Sequence, residues 1–140
     1  MQLAVNDKIS QFEELLLQLP QVSTPVTHEF CDGLYARTMF IPAGVALTGA
    51  IHRSENFLFV RSGEISIITD EGMKMAAAGD LIKSGAGVKR AGFAHTDTII
   101  TTVHANPLNE TDEETLWQMY VVPDDEALEF RKTLLIEVTL

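Results

Sequence analysis

Apolar positions change their spacing along the chain, and each spacing predicts a different kind of element. Over residues 6–19, Ile9, Phe12, Leu15, Leu16 and Leu19 recur three and four apart, which draws one apolar stripe on a helix. Asn6 suits the cap of that helix and Pro20 stops it. The pattern predicts an amphipathic arm laid on the rest of the fold or on a second subunit. Residues 21–32, punctuated by Pro25, read as a loop. From residue 34 the pattern becomes short runs of β-favouring residues: Leu34–Ile41, Val45–His52, Phe57–Arg61, Glu64–Thr69, Met73–Ala77, Leu81–Lys83, Val88–Ala94 and Thr98–Ala105. Turn signals separate them, at Pro42-Ala43-Gly44, Ser62-Gly63, Asp70-Glu71-Gly72, Gly79-Asp80 and Ser84-Gly85-Ala86-Gly87. Closely spaced short strands with no helices between them predict an all-β sandwich or barrel and exclude a parallel α/β sheet.

The pattern changes again after Pro107. Thr111 and Glu114 have the spacing of a capping box, and Leu116, Met119 and Tyr120 form the inner face of the helix that follows. Pro123 ends it. Asp124–Thr133 reads as a second helix with Leu128 turned inward, and Leu134–Leu140 is β-prone, suited to an edge strand of this chain or of a partner. The expected organisation is a helical arm (1–20), a β-barrel domain (28–107) and a C-terminal tail (108–140) that packs on the barrel or on a partner subunit.

Composition narrows the possible functions. The 140 residues suit one domain, and 46% hydrophobic with 21% charged residues is ordinary for a globular chain. The net charge of −10 lacks the basic surface that nucleic acid requires. Eight of the 20 acids fall within residues 109–129, whereas Lys83, Lys89 and Arg90 cluster in the middle of the chain. No apolar run is long enough to cross a membrane, and no basic segment followed by an apolar one opens the chain as a secretory signal would. The single Cys31 cannot form an internal disulfide, so a reducing cytoplasm is the expected setting.

The glycines of the strand region carry a resemblance. Gly44, His52 and Gly63 fall at positions of one glycine-bounded motif, and Gly79, Gly85, Gly87 and Arg90 span a second. The arrangement resembles the cupin superfamily, over about residues 33–107. The whole chain also looks like small single-domain cupin-like proteins encoded in phage genomes. The resemblance implies a double-stranded β-helix, or jelly-roll, barrel. It also implies a divalent metal held by three histidines and a glutamate. Here those four positions hold Ala50, His52, Asn56 and Arg90; Ala94 stands where the second motif has asparagine, and Gly85 where it has proline. Only His52 is an ordinary ligand, and a cation at a ligand position repels a metal.

Two uses of the pocket remain open. A rebuilt metal site would need His52 and His104, joined by a carboxylate such as Glu55, Glu64 or Asp97. Alternatively, Arg90 inside the barrel would bind a small polar or anionic molecule, with His52, Asn56 and His104 adding hydrogen bonds. A structural ion pair of Arg90 with Glu64, Glu55 or Asp97 is the competing expectation. His95 is expected in a loop, and His28 exposed. Ser54 and Ser62 lie in no nucleophile elbow, residues 85–89 complete no phosphate loop, and Trp117–Tyr120 reads as helix packing. The expectation is a small-molecule binding protein that forms a homodimer. The alternatives are an isomerase, lyase or oxygenase with a rebuilt metal site or a histidine acid–base, and an assembly protein that uses the barrel as a scaffold.

Overall fold

The computed structural model describes residues 2–69 and 72–139. The chain runs α1 (Gln2–Leu17), β1 (Val26–Cys31), β2 (Leu34–Ile41), β3 (Ala46–Thr48), β4 (Ile51–His52), β5 (Asn56–Ser62), β6 (Glu64–Thr69) and β7 (Gly72–Ala77). It continues through β8 (Leu81–Ser84), β9 (Ala91–Ala94), β10 (Thr98–Ala105), α2 (Glu113–Tyr120), β11 (Val121–Val122), a 3-10 turn (Asp124–Glu126) and α3 (Ala127–Thr139). All strand pairs are antiparallel. A five-stranded sheet in the order β1-β2-β10-β5-β8 and a four-stranded sheet in the order β3-β9-β6-β7 form the barrel walls. Ile41, Leu58 and Val60 from the first sheet meet Ile65, Ile67, Ala76 and Ala94 from the second in one apolar core. The outer face of the five-stranded sheet leaves Phe40, Phe57, Phe59 and Leu81 exposed.

Glycine makes the corners of this barrel. Gly44, Gly63, Gly79 and Gly87, four of the motif glycines, all have positive φ, a region costly for any residue with a Cβ. Gly63 is the tightest: a Cβ there would sit 2.3 Å from the Asp97 carbonyl oxygen. It is the corner at which the chain leaves one sheet for the other.

Several elements differ from expectation. Residues 21–32 are not all loop, because β1 pairs with β2 from Val26↔Met39 to Cys31↔Leu34 across Asp32-Gly33. Val45–His52 is broken at Gly49-Ala50, where the chain leaves β9 to pair with β11. Residues 88–90 are not part of the strand expected over Val88–Ala94. The first helix begins before Asn6, so that residue does not mark its start, and only the Ile9 part of its stripe is deeply covered; Leu15 and Leu19 are exposed. The cap of α2 is Asp112, which accepts a bond from the Thr115 amide at 3.0 Å, so the Thr111 capping box does not form. Leu116 and Tyr120 are buried with Met119 against them, as expected. Leu128 faces outward, whereas Ala127 and Arg131 are buried. The β-prone stretch from Leu134 is helical through Thr139, which removes the expected edge strand; Leu140 and the hairpin residues Asp70 and Glu71 lie outside the described residues.

The helices are tied to the barrel by specific contacts. Lys89, 2% exposed, bonds Glu13 of α1 at 2.9 Å and Asp124 at 3.0 Å. Arg131 of α3 donates to the Gly87 carbonyl at 2.9 Å. Tyr120 donates to the Ala105 carbonyl, which fixes α2 against the end of β10.

Candidate functional site

Strand periodicity places every second residue of β2, β5 and β10 on the inner face of the five-stranded sheet. The register then stacks those residues in rows. Tyr35 lies opposite His104, Arg37 opposite Thr102, and Met39 opposite Ile100. Thr102 is in turn opposite Leu58, and Asn56 lies opposite Ser84, two residues before Leu58. These side chains line a cavity of about 450 Å³, within the range of small-molecule sites. Arg90, on the segment before β9, and His52, at the end of β4, enter from the opposite wall, while α2 contributes Glu113, Trp117 and Tyr120 at the rim.

The four expected site residues, Arg90, His52, Asn56 and His104, all line this one cavity. His52 and His104 have ring centroids 5.2 Å apart. His104 also stacks on Tyr35 and contacts Tyr120, at 5.7 and 5.0 Å between ring centres. Burial lowers the pKa of His52 from 6.5 to about 4, helped by the Arg90 and Arg37 charges. Burial lowers His104 to about 4 as well, helped by His52 and Arg37. Both rings are therefore neutral near pH 7. His104 Nε2 is 3.0 Å from the Thr102 hydroxyl, which leaves its Nδ1 buried with no partner among the described residues.

Arg90 has none of its expected ion-pair partners. Glu55 pairs with Lys83 at 2.7 Å on the surface, Glu64 is exposed, and Asp97 accepts from the Ala43 amide at 2.9 Å. Arg90 Nε is buried and unbonded among the described residues, and so is Asn56 Nδ2. Burial lowers the pKa of both Arg90 and Arg37. Each remains charged near neutral pH, since an arginine guanidinium is effectively always protonated in proteins.

Three wall residues were not among the expected site residues. Arg37 and Tyr35 sit in a strand whose alternation carries no separate mark of an inward cation. His28, expected to be exposed, is partly buried because β1 exists: its Nδ1 is 2.6 Å from the Tyr35 hydroxyl and its Nε2 3.3 Å from Glu113. The Asp32-Gly33 pair between β-favouring runs was the available signal for that hairpin. His95 lies in a bend as expected, exposed and bonded to Ser66 at 2.6 Å.

These residues do not suit a divalent metal. Among the described residues no group of three or more His, Cys, Asp or Glu side chains converges. The cavity is lined by three imidazoles, His28, His52 and His104, beside two guanidinium groups; His28 is engaged by Tyr35 and Glu113, and Glu55, Glu64 and Asp97, the carboxylates expected to complete a rebuilt site, do not line it. A metal site needs three or four donors and no adjacent cations.

No protein-family model matches the sequence, and no curated protein matches it. Solved structures do. The cupin domain of an XRE-family transcriptional regulator from Enterobacter cloacae superposes with a TM-score of 0.53 at 12% identity, over 61% of this chain and 99% of that one. A cupin superfamily protein from Desulfitobacterium hafniense gives 0.52 at 10% identity, over 62% and 81%. A variant of salicylate 1,2-dioxygenase from Pseudoaminobacter salicylatoxidans gives 0.56 at 14% identity, over 82% of this chain but only 35% of the enzyme. The chain therefore has the cupin-type β-barrel fold, here enclosing a cavity rich in cations and poor in metal donors. Proteins with this fold serve an enzyme in one case and a regulator in another, so the fold alone does not select a reaction. Among the described residues, no helix is long and apolar enough to cross a membrane.

Proposed function

We propose that this chain is a binding protein whose barrel holds a small anionic molecule, with Arg90 as the main countercharge. One observation carries this reading: half-buried Arg90 lines the cavity with its buried Nε unbonded and, among the described residues, no carboxylate in an ion pair with it. A buried donor without an acceptor costs about 1–3 kcal/mol, and more when charged, so such groups call for an explanation. A carboxylate or phosphate supplies acceptors in the geometry a guanidinium prefers. Arg37 adds a second positive charge, and Asn56 and His104 have hydrogen-bonding atoms left over. The test is a thermal-shift and calorimetric screen of small carboxylates and phosphates. Anions should stabilise the native chain and lose at least tenfold in affinity on Arg90→Ala. Unchanged affinity in that variant would remove Arg90 from the site.

A second reading, a metal-independent enzyme, is favoured by the hydrogen-bonded series Glu113–His28–Tyr35 at the cavity wall. Carboxylate, imidazole and phenol in that order can pass a proton. Exchange of an acidic C–H of a bound ligand in D2O, lost in Tyr35→Phe, would support it; absence of exchange would leave the binding function.

A further inference from the structure

We infer that the ligand is an amphipathic acid of roughly ten to fifteen non-hydrogen atoms in all: a single anionic head on Arg37 and Arg90, joined to an uncharged apolar body. This rests on the anionic reading above and adds what the rest of the molecule must be. The strand register separates the cavity into two ends. Counting along β2, the inward residues run Tyr35, Arg37, Met39, Ile41, and against them β10 runs His104, Thr102, Ile100. Polar groups thus occupy the first rows and hydrocarbon the last. The facing sheet agrees, since its contributions include Ile65, Ile67 and Leu47.

Each end constrains the ligand. Arg37 and Arg90 are the cationic side chains lining the cavity; Arg37 lies in the Thr102 row, and the Arg90 charge acts on His52, whose ring is 5.2 Å from His104 in the first row. A second charge on the far end of a ligand would be buried there without a partner, at high cost. A small, fully polar anion would satisfy the arginines but make no use of the apolar wall, where the cavity borders the core residues Ile41, Ile65 and Ile67. An acid with a hydrocarbon body uses both. Glu113, the cavity's carboxylate, stands at the rim against His28, so it does not neutralise the arginines from within.

Trp117, the chain's single tryptophan, lines this cavity and reports binding by its fluorescence. The probes are acetate, butanoate, hexanoate, octanoate, octanedioate and 1-octanol, titrated into the full chain and checked by calorimetry. Kd should fall roughly fourfold per methylene from acetate to octanoate. Octanedioate should bind at least tenfold more weakly than octanoate. Arg90→Gln should weaken octanoate at least tenfold yet leave 1-octanol within about twofold. Arg90→Lys should give an intermediate loss, and the acid–alcohol comparison needs no variant at all. Acetate and octanoate binding equally, both dependent on Arg90, would overturn the amphipathic class while leaving the anionic function intact. Octanoate and 1-octanol binding equally, and indifferent to Arg90, would instead overturn the anionic function. Failure of every acid to bind up to about 10 mM would end both.

Discussion

Lowering the pH from 7 to 5 should destabilise this protein mainly through two rings in its cavity. His52 and His104 are each lowered from 6.5 to about 4 in the folded chain. Above pH 6.5 both are neutral folded or unfolded, and their contribution to stability is complete. Between pH 6.5 and 4 the unfolded chain binds two protons that the native cavity refuses, so stability falls as pH falls. The slope is about 1.4 kcal/mol per pH unit for each ring. At pH 5 each ring has therefore lost about 2 kcal/mol, and the pair about 4 kcal/mol, a large part of a typical total of 5–15 kcal/mol. The rings lie 5.2 Å apart, so a proton on one makes protonation of the other harder. Urea unfolding midpoints at pH 7, 6 and 5 measure the effect. Carboxylates begin to titrate near the lower limit, so the decisive comparison is internal: His104→Gln should roughly halve the slope, and His52→Gln/His104→Gln should nearly abolish it. Ring-proton NMR supplies the second check, and Arg90→Gln should move His52 back toward 6.5 because it removes a neighbouring cation. An unchanged slope in the double variant, or rings titrating near 6.5, would refute the buried neutral pair.

The remaining predictions concern the frame and the helical arm. Gly63→Ala should lower stability by roughly 2–4 kcal/mol, because it combines a φ of +86° with a Cβ placed 2.3 Å from backbone. Gly85→Ala, whose Cβ would meet the Val88 side chain at an ordinary 3.6 Å, should stay within about 1 kcal/mol; equal losses by denaturant titration would count against the corner geometry. Lys89→Ala should cost about 2 kcal/mol and expose α1 to limited proteolysis before the barrel opens, since Lys89 joins Glu13 of that helix to Asp124. A variant with α1 as protected as in the parent would show that the helix is held by Ile9 instead.

Most of the fold was legible because barrel strands are local in sequence and their corners require glycine. Gly44, Gly63, Gly79 and Gly87 mark four turns by a steric requirement no other residue meets cheaply, and the strands between them fall close to where alternation puts them. The errors share a cause. The tail from Leu134 has strand-favouring residues but continues a helix already begun at Ala127 and tied down by Arg131; tertiary anchoring overrides a propensity of a few tenths of a kcal/mol per residue. Val45–His52 reads as one strand because nothing local says that its two halves pair with different elements, β9 and β11.

The site was legible to the extent that a motif position names a place in space. His52, Asn56 and Arg90 stand at positions of the resembled motifs, and they meet in one cavity although up to 38 residues separate them. His104 and Arg37 had no such marker; they enter by strand register alone, through Tyr35↔His104 and Arg37↔Thr102. Their arrival changes the chemistry more than their number suggests. With His52 alone, the cavity would be a metal site that had lost three ligands. With Arg90 and Arg37 both lining it, the cavity is rich in cations, and burial first, then neighbouring cations, push its buried histidines His52 and His104 toward the neutral form. The positive field that opposes a divalent metal is also the field on which the proposed anion site rests, so arginine at a position where the resembled motif has a metal ligand bears on both.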